Sequence, residues 1–406
     1  MIFTAAPLPP MKQPTTYILI LNCGSSSLKF SLYDAATLKV EVNGTARHLG
    51  TSNSVLEIKC RLDVLPADIS KPMASVTDAA AAVIEWLKYR ATDYAIVAIG
   101  HRIVQGGPDN YAPQLLTDAL LRKLSKYTYL APEHLPAELS VIKICQKSFT
   151  RIPQILCFDT AFHSNMPDVA KVYTLPAIYR SKGLQRYGFH GLSYEYILAK
   201  LAENHPVNKQ KIIIAHLGNG ASMAAVKNGK GMDTTMGVSP LGGLVMSTRP
   251  GDLDPGVLLF LLKEAKLSVE EADELLSKSS GLKAIAGTGD MEKLLQLQST
   301  DKSAALAIDI FCYHARKHIG ALAAAMNGLD MLVFTGGIGE NSAAIRSQIC
   351  KDLSFLGIKL SSKRNSHGKS VISKNKSAVT VKVIPTNEEL TIARHTSILI
   401  KINNQP

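Results

Sequence analysis

No stretch of this sequence approaches the roughly 18–20 uninterrupted apolar residues that a membrane-crossing helix requires. The longest candidates, such as Val257–Leu262, are short and flanked by polar residues, so a helical membrane span is set aside. The opening segment, MIFTAAPLPPMKQPTT, carries prolines where a signal peptide carries its apolar part and lacks the charged start. Residues 1–15 are therefore expected to be a disordered extension, with Met11 as an alternative start. C-x-x-C pairs are missing as well. The six cysteines (Cys23, Cys60, Cys145, Cys157, Cys312 and Cys350) are scattered, which fits reduced thiols in a cytosolic enzyme better than a zinc site or a disulfide framework. Charged residues are few, 19% against 46% hydrophobic, a balance that buries a core and excludes global disorder. The basic stretch Lys359–Lys382 has no aromatic residues between its cations, so it is read as a solvated loop or hairpin and no nucleic-acid partner is expected.

At 406 residues the chain exceeds what one core usually serves, which implies two domains, and a net charge of +12 suits anionic ligands such as nucleotides and acyl phosphates. Tyr17–Leu21 (YILIL) is a β-type run that stops at a polar, glycine-containing turn, NCGSSSLKF. Phe30, Leu32 and Val40 then alternate with polar residues as one returning strand would. Ala79–Leu87 reads as a helix. Tyr94–Ile99 and Gln154–Phe158 read as buried strands that end in GHRIVQGG and DTAFH, and polar groups at strand ends are how α/β enzymes line a cleft. Lys211–Ala215 (KIIIA) starts the pattern again with a glycine turn, HLGNGAS, and a returning strand, MAAVKNGKGMD. Superposing Asn22 on His216 brings Gly24 onto Gly218, an internal duplication of a strand–turn–strand unit. Pro255–Leu262 and Ser303–Met326 have helical character, and Met331–Phe334 is a strand feeding TGGIGENS and a helix from about Ala343. The alternation argues for α/β architecture.

Asn22–Lys29 offers a phosphate backbone N–H groups, hydroxyls and a lysine, or it is an ordinary Gly/Ser hairpin turn. It lacks GxxxxGK[ST], which disfavours a P-loop enzyme. His216–Ser222 and Thr335–Glu340 are further glycine turns directly after strands, and three such turns favour nucleotide binding over caps and bulges. Arg102 (GHRIVQGGP) and Arg249 (STRPGDLDPG) sit in polar turns, where a guanidinium grips carboxylate or phosphoryl oxygens or makes a surface salt bridge. Asp159, His163 and His190 lie in FDTAFH and RYGFHGLS. Asp159 suits an acid–base group, a metal ligand or a charge stabiliser, and His163 is read as structural. His314 and His318 have zinc-ligand spacing without the glutamate of H-E-x-x-H and are read as a helix surface. In IPTNEELTIAR, Thr386 as N-cap would put Glu389 in a capping box and leave Glu388 to face the cleft and hold magnesium through water.

Taken together these segments resemble the acetate kinase family from about Tyr17 to the C-terminus: NCGSSSLKF, GHRIV-GG, FDTAFH, RYGFHG, HLGNGAS, MDTTMG, TRPGDLDPG, FTGGIGEN and PTNEEL occur in the family's order. The resemblance implies two duplicated α/β domains of the actin/Hsp70/sugar-kinase (ribonuclease H-like) type with an interdomain cleft. Their expected bounds are 16–158, completed by the last helix at 388–406, and 159–387 for the nucleotide-binding domain. Carried over by residue, it implies Asn22 and Glu388 at Mg²⁺ (or Mn²⁺) and Lys29 at the nucleotide. It places His216, Leu217, Gly218, Asn219, Gly220, Asp290, Met291, Glu292, Gly336, Gly337, Ile338, Gly339 and Glu340 along the ATP/ADP site. Arg102 and Arg249 would hold the carboxylate and the transferring phosphoryl group, Asp159 would be the catalytic aspartate and His190 the stabiliser of the transferred group. Val104, Phe189 and Pro240 would line the acyl pocket. A cytoplasmic homodimer acting on acetate and acetyl phosphate is also implied. Departures from the family pattern are Glu133 in APEHLP, near the acyl group, Gln105 in place of a common histidine, and Glu292 where an arginine is frequent.

A carboxylate with a reference pKa of about 4 is already ionised at neutral pH, so such a nucleophile needs no general base. Asp159 is therefore expected to orient magnesium or the carboxylate-binding arginine, with in-line positioning and charge stabilisation carrying the transfer. Two rival readings stand beside this one. A propionate or butyrate kinase would differ in pocket volume. A non-catalytic ATP-dependent clamp of the Hsp70 or actin type would need neither Arg102 nor Arg249.

Overall fold

A run such as TYILILNC leaves no polar face, so a strand built from it must be covered on both sides. In the computed structural model, which describes residues 15–24, 27–60, 67–90 and 93–403, this run is the centre of the first of two sheets. The expected extension up to residue 14, and Ser25 and Ser26 of the first glycine turn, lie outside the described residues. The first sheet contains β1 (Thr16–Cys23), β2 (Leu28–Asp34), β3 (Val40–Arg47), β4 (Val55–Cys60), β5 (Ala67–Ser70), β6 (Ala95–Ile103), β7 (Gln114–Leu115) and β8 (Gln154–Phe158), in the order β5-β4-β3-β2-β1-β6-β8-β7. The second contains β9 (Lys211–Leu217), β10 (Ala221–Lys227), β11 (Lys230–Thr234), β12 (Met331–Thr335) and β13 (Thr380–Val383), in the order β11-β10-β9-β12-β13.

The duplication legible at Asn22 and His216 extends to five strands of each sheet, with β4, β5 and β7 added to the first. Each has an antiparallel meander (β3-β2-β1 and β11-β10-β9) followed by two strands parallel to its central one (β6, β8 and β12, β13). Asn22 and His216 are both the penultimate residue of that central strand, opposite Lys29 and Ser222 of the returning strand. Side chains alternate faces along a strand. Tyr17, Leu19 and Leu21 therefore meet Ala79, Val83 and Trp86 of helix Val76–Tyr89, while Ile18 and Ile20 meet Ile392 and Ala393 of helix Glu388–Asn403. In the second sheet Ile213 and Ala215 meet Ile308 and Phe311 of helix Lys302–Ala325, and Ile212 and Ile214 meet Tyr194 and Ile197 of helix Gly191–Ala202. Each such buried aliphatic side chain contributes about 1.5–3 kcal/mol. Gly100 admits the last helix: a Cβ there would stand 2.5 Å from Thr396 Oγ1 and 2.7 Å from Ile392 Cγ2.

Three local expectations are corrected. The apparent single returning strands are pairs: β2 and β3 divide at Thr37, and β10 and β11 at Asn228-Gly229, where both residues have positive φ as a tight hairpin requires. The segment Lys359–Lys382 is more than a solvated loop, because Ile372, Val379 and Val381 between its lysines are buried and β13 extends the second sheet. Asn387, one residue beyond Thr386, caps the last helix, its Oδ1 accepting from Leu390 N–H at 2.9 Å. Glu389 instead accepts from Ser31 Oγ at 3.5 Å. His163 is buried and bonded to Phe189 O at 3.0 Å, a structural setting, and no helix among the described residues is long and apolar enough to cross a membrane.

Candidate active site

Parallel strands deliver their carboxyl ends to one rim, and here two such rims face each other. Between them lies a cavity of about 820 Å³. From the first sheet come Asn22 and Lys29 on the first hairpin, Arg102 and Val104 at β6, and Asp159 just past β8. His216, Gly218, Asn219 and Gly220 of the second hairpin line the other side, with Phe189, His190, Pro240, Arg249, Asp290 and Glu388 closing it.

Arg102 organises the first rim. Its Nε and Nη2 donate to Asp159 Oδ2 at 3.0 and 2.5 Å, its Nη1 donates to Asn22 Oδ1 at 3.1 Å, and its Nε stands 3.9 Å from Glu388 Oε2. Asn22 Nδ2 in turn donates to Glu388 Oε2 at 3.4 Å. Burial pushes the Asp159 carboxyl up to about 6 against the pull of Arg102, which leaves it ionised at neutral pH. Burial opposes the Arg102 charge too, but Asp159 and Glu388 outweigh it and hold the guanidinium protonated. Glu388 loses to burial less than it gains from Arg102, His216 and Lys29, and lies below the usual carboxylate range. Asp159 Oδ1 is buried without a hydrogen-bond partner among the described residues. That orphaned oxygen, with Asn22 and Glu388 beside the same guanidinium, is a sparse set of hard oxygen donors of the kind that suits a magnesium ion keeping several waters. No cluster of three His, Cys, Asp or Glu side chains among the described residues could hold a metal alone.

His190 is placed by its backbone. Its φ of 59° is left-handed, a conformation that costs a non-glycine residue about 1–2 kcal/mol, and Gly191 after it donates its N–H to Asp159 O at 3.0 Å. A Cβ at Gly191 would lie 2.1 Å from Asp159 O, so only glycine lets this turn dock on the aspartate. The His190 ring stacks on His216 with centroids 4.3 Å apart and planes 19° apart, and its Nδ1 is 2.8 Å from Ser222 Oγ. Burial, His216 and the two arginines hold His190 well below its ordinary pKa, and burial lowers His216 as well, so both rings are neutral at pH 7. Arg249 is different from Arg102. The one hydrogen bond of its guanidinium among the described residues runs to Pro240 O at 3.5 Å, and it forms no ion pair there.

Val104, Phe189 and Pro240 form the apolar wall. Behind it, Val104 N–H points at both carboxyl oxygens of Glu138, each 3.2 Å away. Glu138 is buried, and burial pushes its pKa up to about 8. The folded chain therefore keeps a proton on Glu138 that the unfolded chain releases near 4.5, and stability falls as pH rises from there to about 8. That window is worth on the order of 5 kcal/mol. Glu138→Gln is expected to match the parent near pH 5 and to exceed it in thermal-denaturation midpoint at pH 8.5; equal midpoints at both pH values would exclude a neutral Glu138.

Several expected residues lie off the cavity lining. Leu217 and Met291 face the second core. Glu292 is exposed in the first turn of helix Met291–Leu297, its N–H donating to Asp290 Oδ1 at 3.0 Å. Gly336, Gly337, Ile338, Gly339 and Glu340 form a short helix directly after β12, beside Gly218. Glu340 turns inward, its Oε1 accepting from Gly336 N–H at 2.8 Å and Thr386 N–H at 3.0 Å. Glu133 reaches out of the cavity to Ser277 Oγ at 3.3 Å and Lys278 Nζ at 3.5 Å, so it is not in the apolar pocket. Gln105 accepts from Gly107 N–H at 2.9 Å. His134, Ser247 and Thr248 line the cavity and were not anticipated. His134 is half-buried, its pKa pushed down to about 4 by desolvation and the two arginines, and its position between prolines in APEHLP was the available signal.

The chain matches the acetokinase family over residues 17–394. It is 40% identical over 399 residues to an acetate kinase of Thermoanaerobacterium thermosaccharolyticum, covering 95% of this chain and 99% of that one. It is 41% identical over 399 residues to an acetate kinase of Halothermothrix orenii, with the same coverage of 95% and 99%. Among solved structures, a propionate kinase from Francisella tularensis subsp. tularensis SCHU S4 superposes with a TM-score of 0.89 at 38% identity, covering 94% of this chain and 99% of that one. A Porphyromonas gingivalis acetate kinase superposes with a TM-score of 0.85 at 38% identity, covering 95% and 100%.

Proposed function

The chain belongs to the acetokinase family, a group of phosphotransferases that act on carboxylates with ATP and ADP, and from that premise we propose that its cavity passes the ATP γ-phosphoryl group directly to acetate, reversibly and with Mg²⁺. The observation that carries the proposal is the convergence of Arg102, Arg249 and Asp159 on one cavity with the His216–Gly220 turn. Bringing a carboxylate and a triphosphate together is mainly an electrostatic problem, and donors fixed in advance lower its barrier. Arg249, which forms no ion pair among the described residues, grips the incoming anion. Arg102, locked by Asp159 and Asn22, supplies a cationic wall that need not reorganise. Asp159 orients Arg102 and abstracts no proton, since the nucleophile is already ionised. His190 donates a neutral hydrogen bond to the transferring group. Lys29 and the His216–Gly220 turn receive the phosphates. Asn22, Asp159 and Glu388 would hold Mg²⁺, which when bound neutralises phosphate charge.

We assign 16–158 and the last helix to one domain and 159–387 to the other, a division supported by Ile392 and Ala393 packing against β1. A homodimer is supported by the exposed apolar row Val257, Leu258, Leu259 and Phe260, and a cytoplasmic setting by the free, buried thiols of Cys23, Cys145, Cys157, Cys312 and Cys350.

A coupled assay of ADP formation with acetate, propionate and butyrate tests the proposal. Acetate is expected to lead, with kcat/KM falling about tenfold or more per added methylene as Val104 and Phe189 close the pocket. Val104→Ala should narrow the gap between acetate and propionate. ADP release indifferent to any acid would instead indicate a clamp-like ATPase.

A further inference from the structure

Behind His190, on the side away from the cavity, lies a short chain of hydroxyl groups that the transfer chemistry above does not use. Tyr194, one helical turn after His190 on helix Gly191–Ala202, is completely buried, and among the described residues its hydroxyl has one hydrogen-bond partner, Ser222 Oγ on β10. The hydroxyl of Ser222, also buried, has two partners among the described residues: Tyr194 and, at 2.8 Å, His190 Nδ1. The other ring nitrogen, Nε2, points the opposite way, and a Cβ on cavity-lining Gly220 would stand 3.4 Å from it.

Directionality follows from counting hydrogens. A phenol carries one hydrogen, and with a single partner that hydrogen must go to Ser222 Oγ, because a buried donor left without an acceptor is costly. Ser222 is then an acceptor from Tyr194, and its own hydrogen points at His190 Nδ1. A nitrogen that accepts a hydrogen bond bears no hydrogen, so in the neutral ring the hydrogen resides on Nε2. The reverse order, Nδ1–H to Ser222 to Tyr194, would strand the phenol hydrogen inside the protein and aim an Nε2 lone pair at a cavity built for anions, with Arg102, Arg249 and Lys29 on its walls. The neighbouring ring is held in a similar way, His216 Nδ1 lying 2.9 Å from Ser193 Oγ, which is 2.8 Å from Thr386 Oγ1.

We propose that Tyr194 and Ser222 are positioning residues whose hydroxyl chain fixes His190 as the Nε2–H tautomer, so that the neutral ring presents a hydrogen-bond donor to the transferring phosphoryl group. The role assigned to the donor rests on the reading of the cavity as a phosphoryl-transfer site; the tautomer does not. No proton is transferred along the chain, and its effect is confined to orientation.

The test uses the full-length protein labelled with ¹⁵N in histidine, with His190 identified by the resonances lost in His190→Gln. The expected spectrum at pH 7 has a protonated Nε2 and an unprotonated Nδ1. In Tyr194→Phe, Ser222 is free to accept from Nδ1–H, and the ring is expected to become a mixture of tautomers. Its kcat with Mg-ATP and acetate should fall about 10- to 100-fold, with KM values shifted less than about threefold. Ser222→Ala serves as a second variant should Tyr194→Phe fold poorly, and Ser222→Thr, which keeps the hydroxyl, should restore both tautomer and turnover. An Nδ1–H ring in the parent protein overturns the proposal, as does a variant that loses the hydroxyl chain yet keeps tautomer and kcat. A parent with the Nε2–H ring but no acid-dependent phosphoryl transfer would leave the tautomer assignment standing and refute the function instead.

Discussion

Arg102→Ala is expected to lower kcat/KM for acid and ATP by about 10³–10⁴-fold, the range seen when a charge-stabilising arginine leaves a phosphoryl-transfer site. The structure adds a second expected result. Asp159 is fully buried, and both of its observed side-chain hydrogen bonds come from Arg102. Removing the guanidinium leaves a buried carboxylate with no counter-charge, so the fold should lose about 3–5 kcal/mol unless the carboxyl takes up a proton. Stability of the variant should accordingly improve on acidification by more than that of the parent, whose Asp159 and Glu138 already favour lower pH. The double variant Arg102→Ala/Asp159→Asn separates the two effects, because it removes the stranded charge: stability should return and activity should not. Arg102→Lys keeps the charge but loses the two-pronged contact, and should fall between parent and alanine variant. Kinetics together with chemical denaturation of the three variants decide the matter. Near-parental turnover in Arg102→Ala would remove this arginine from the reaction.

Arg249→Ala should cost activity on a similar scale, about 10²–10⁴-fold in kcat/KM, with the opposite structural signature. Its guanidinium has no carboxylate partner among the described residues and one long hydrogen bond, to Pro240 O at 3.5 Å. Burial lowers its pKa, so the protein holds this cation at a cost. Its removal is expected to leave the denaturation midpoint unchanged or slightly raised. Such a mismatch, with large kinetic loss and no stability loss, is what a residue reserved for ligand predicts. A variant that loses stability in proportion to activity would mean that Arg249 is a structural tie. Anion protection makes the same point from the other side: phosphate or acetate should raise the midpoint of the parent more than that of Arg249→Ala.

These two arginines also mark the boundary of what could be read in advance. Both stood out in the sequence as cations in polar turns at strand ends, and both do line the cavity. Nothing local told them apart, because the difference lies in Asp159 and Asn22, which are 57 and 80 residues from Arg102 in the chain. The Glu133 substitution looked like a change to the acyl pocket, yet its side chain leaves the pocket for Ser277 and Lys278. Leu217 and Met291 sit inside motif strings as conspicuous as their neighbours, but strand alternation and helix phase turn them to the core. Lys359–Lys382 misled for a related reason: its lysines dominate the composition, while three apolar residues between them decide its fate.

The amino-acid order alone determined the elements and their repetition, since strand runs, glycine turns and the correspondence of Asn22 with His216 depend on spacing along the chain. It determined as well which residue types stand at the strand ends, and hence an anion-binding, phosphoryl-handling chemistry. Only the tertiary structure decided which of those groups share a charge, which stay unpaired for a ligand, and which nitrogen of His190 faces the cavity. Those are properties of burial and of contacts between residues far apart in sequence, where the cost of an unpartnered charge or hydrogen is set by three-dimensional surroundings that spacing does not encode.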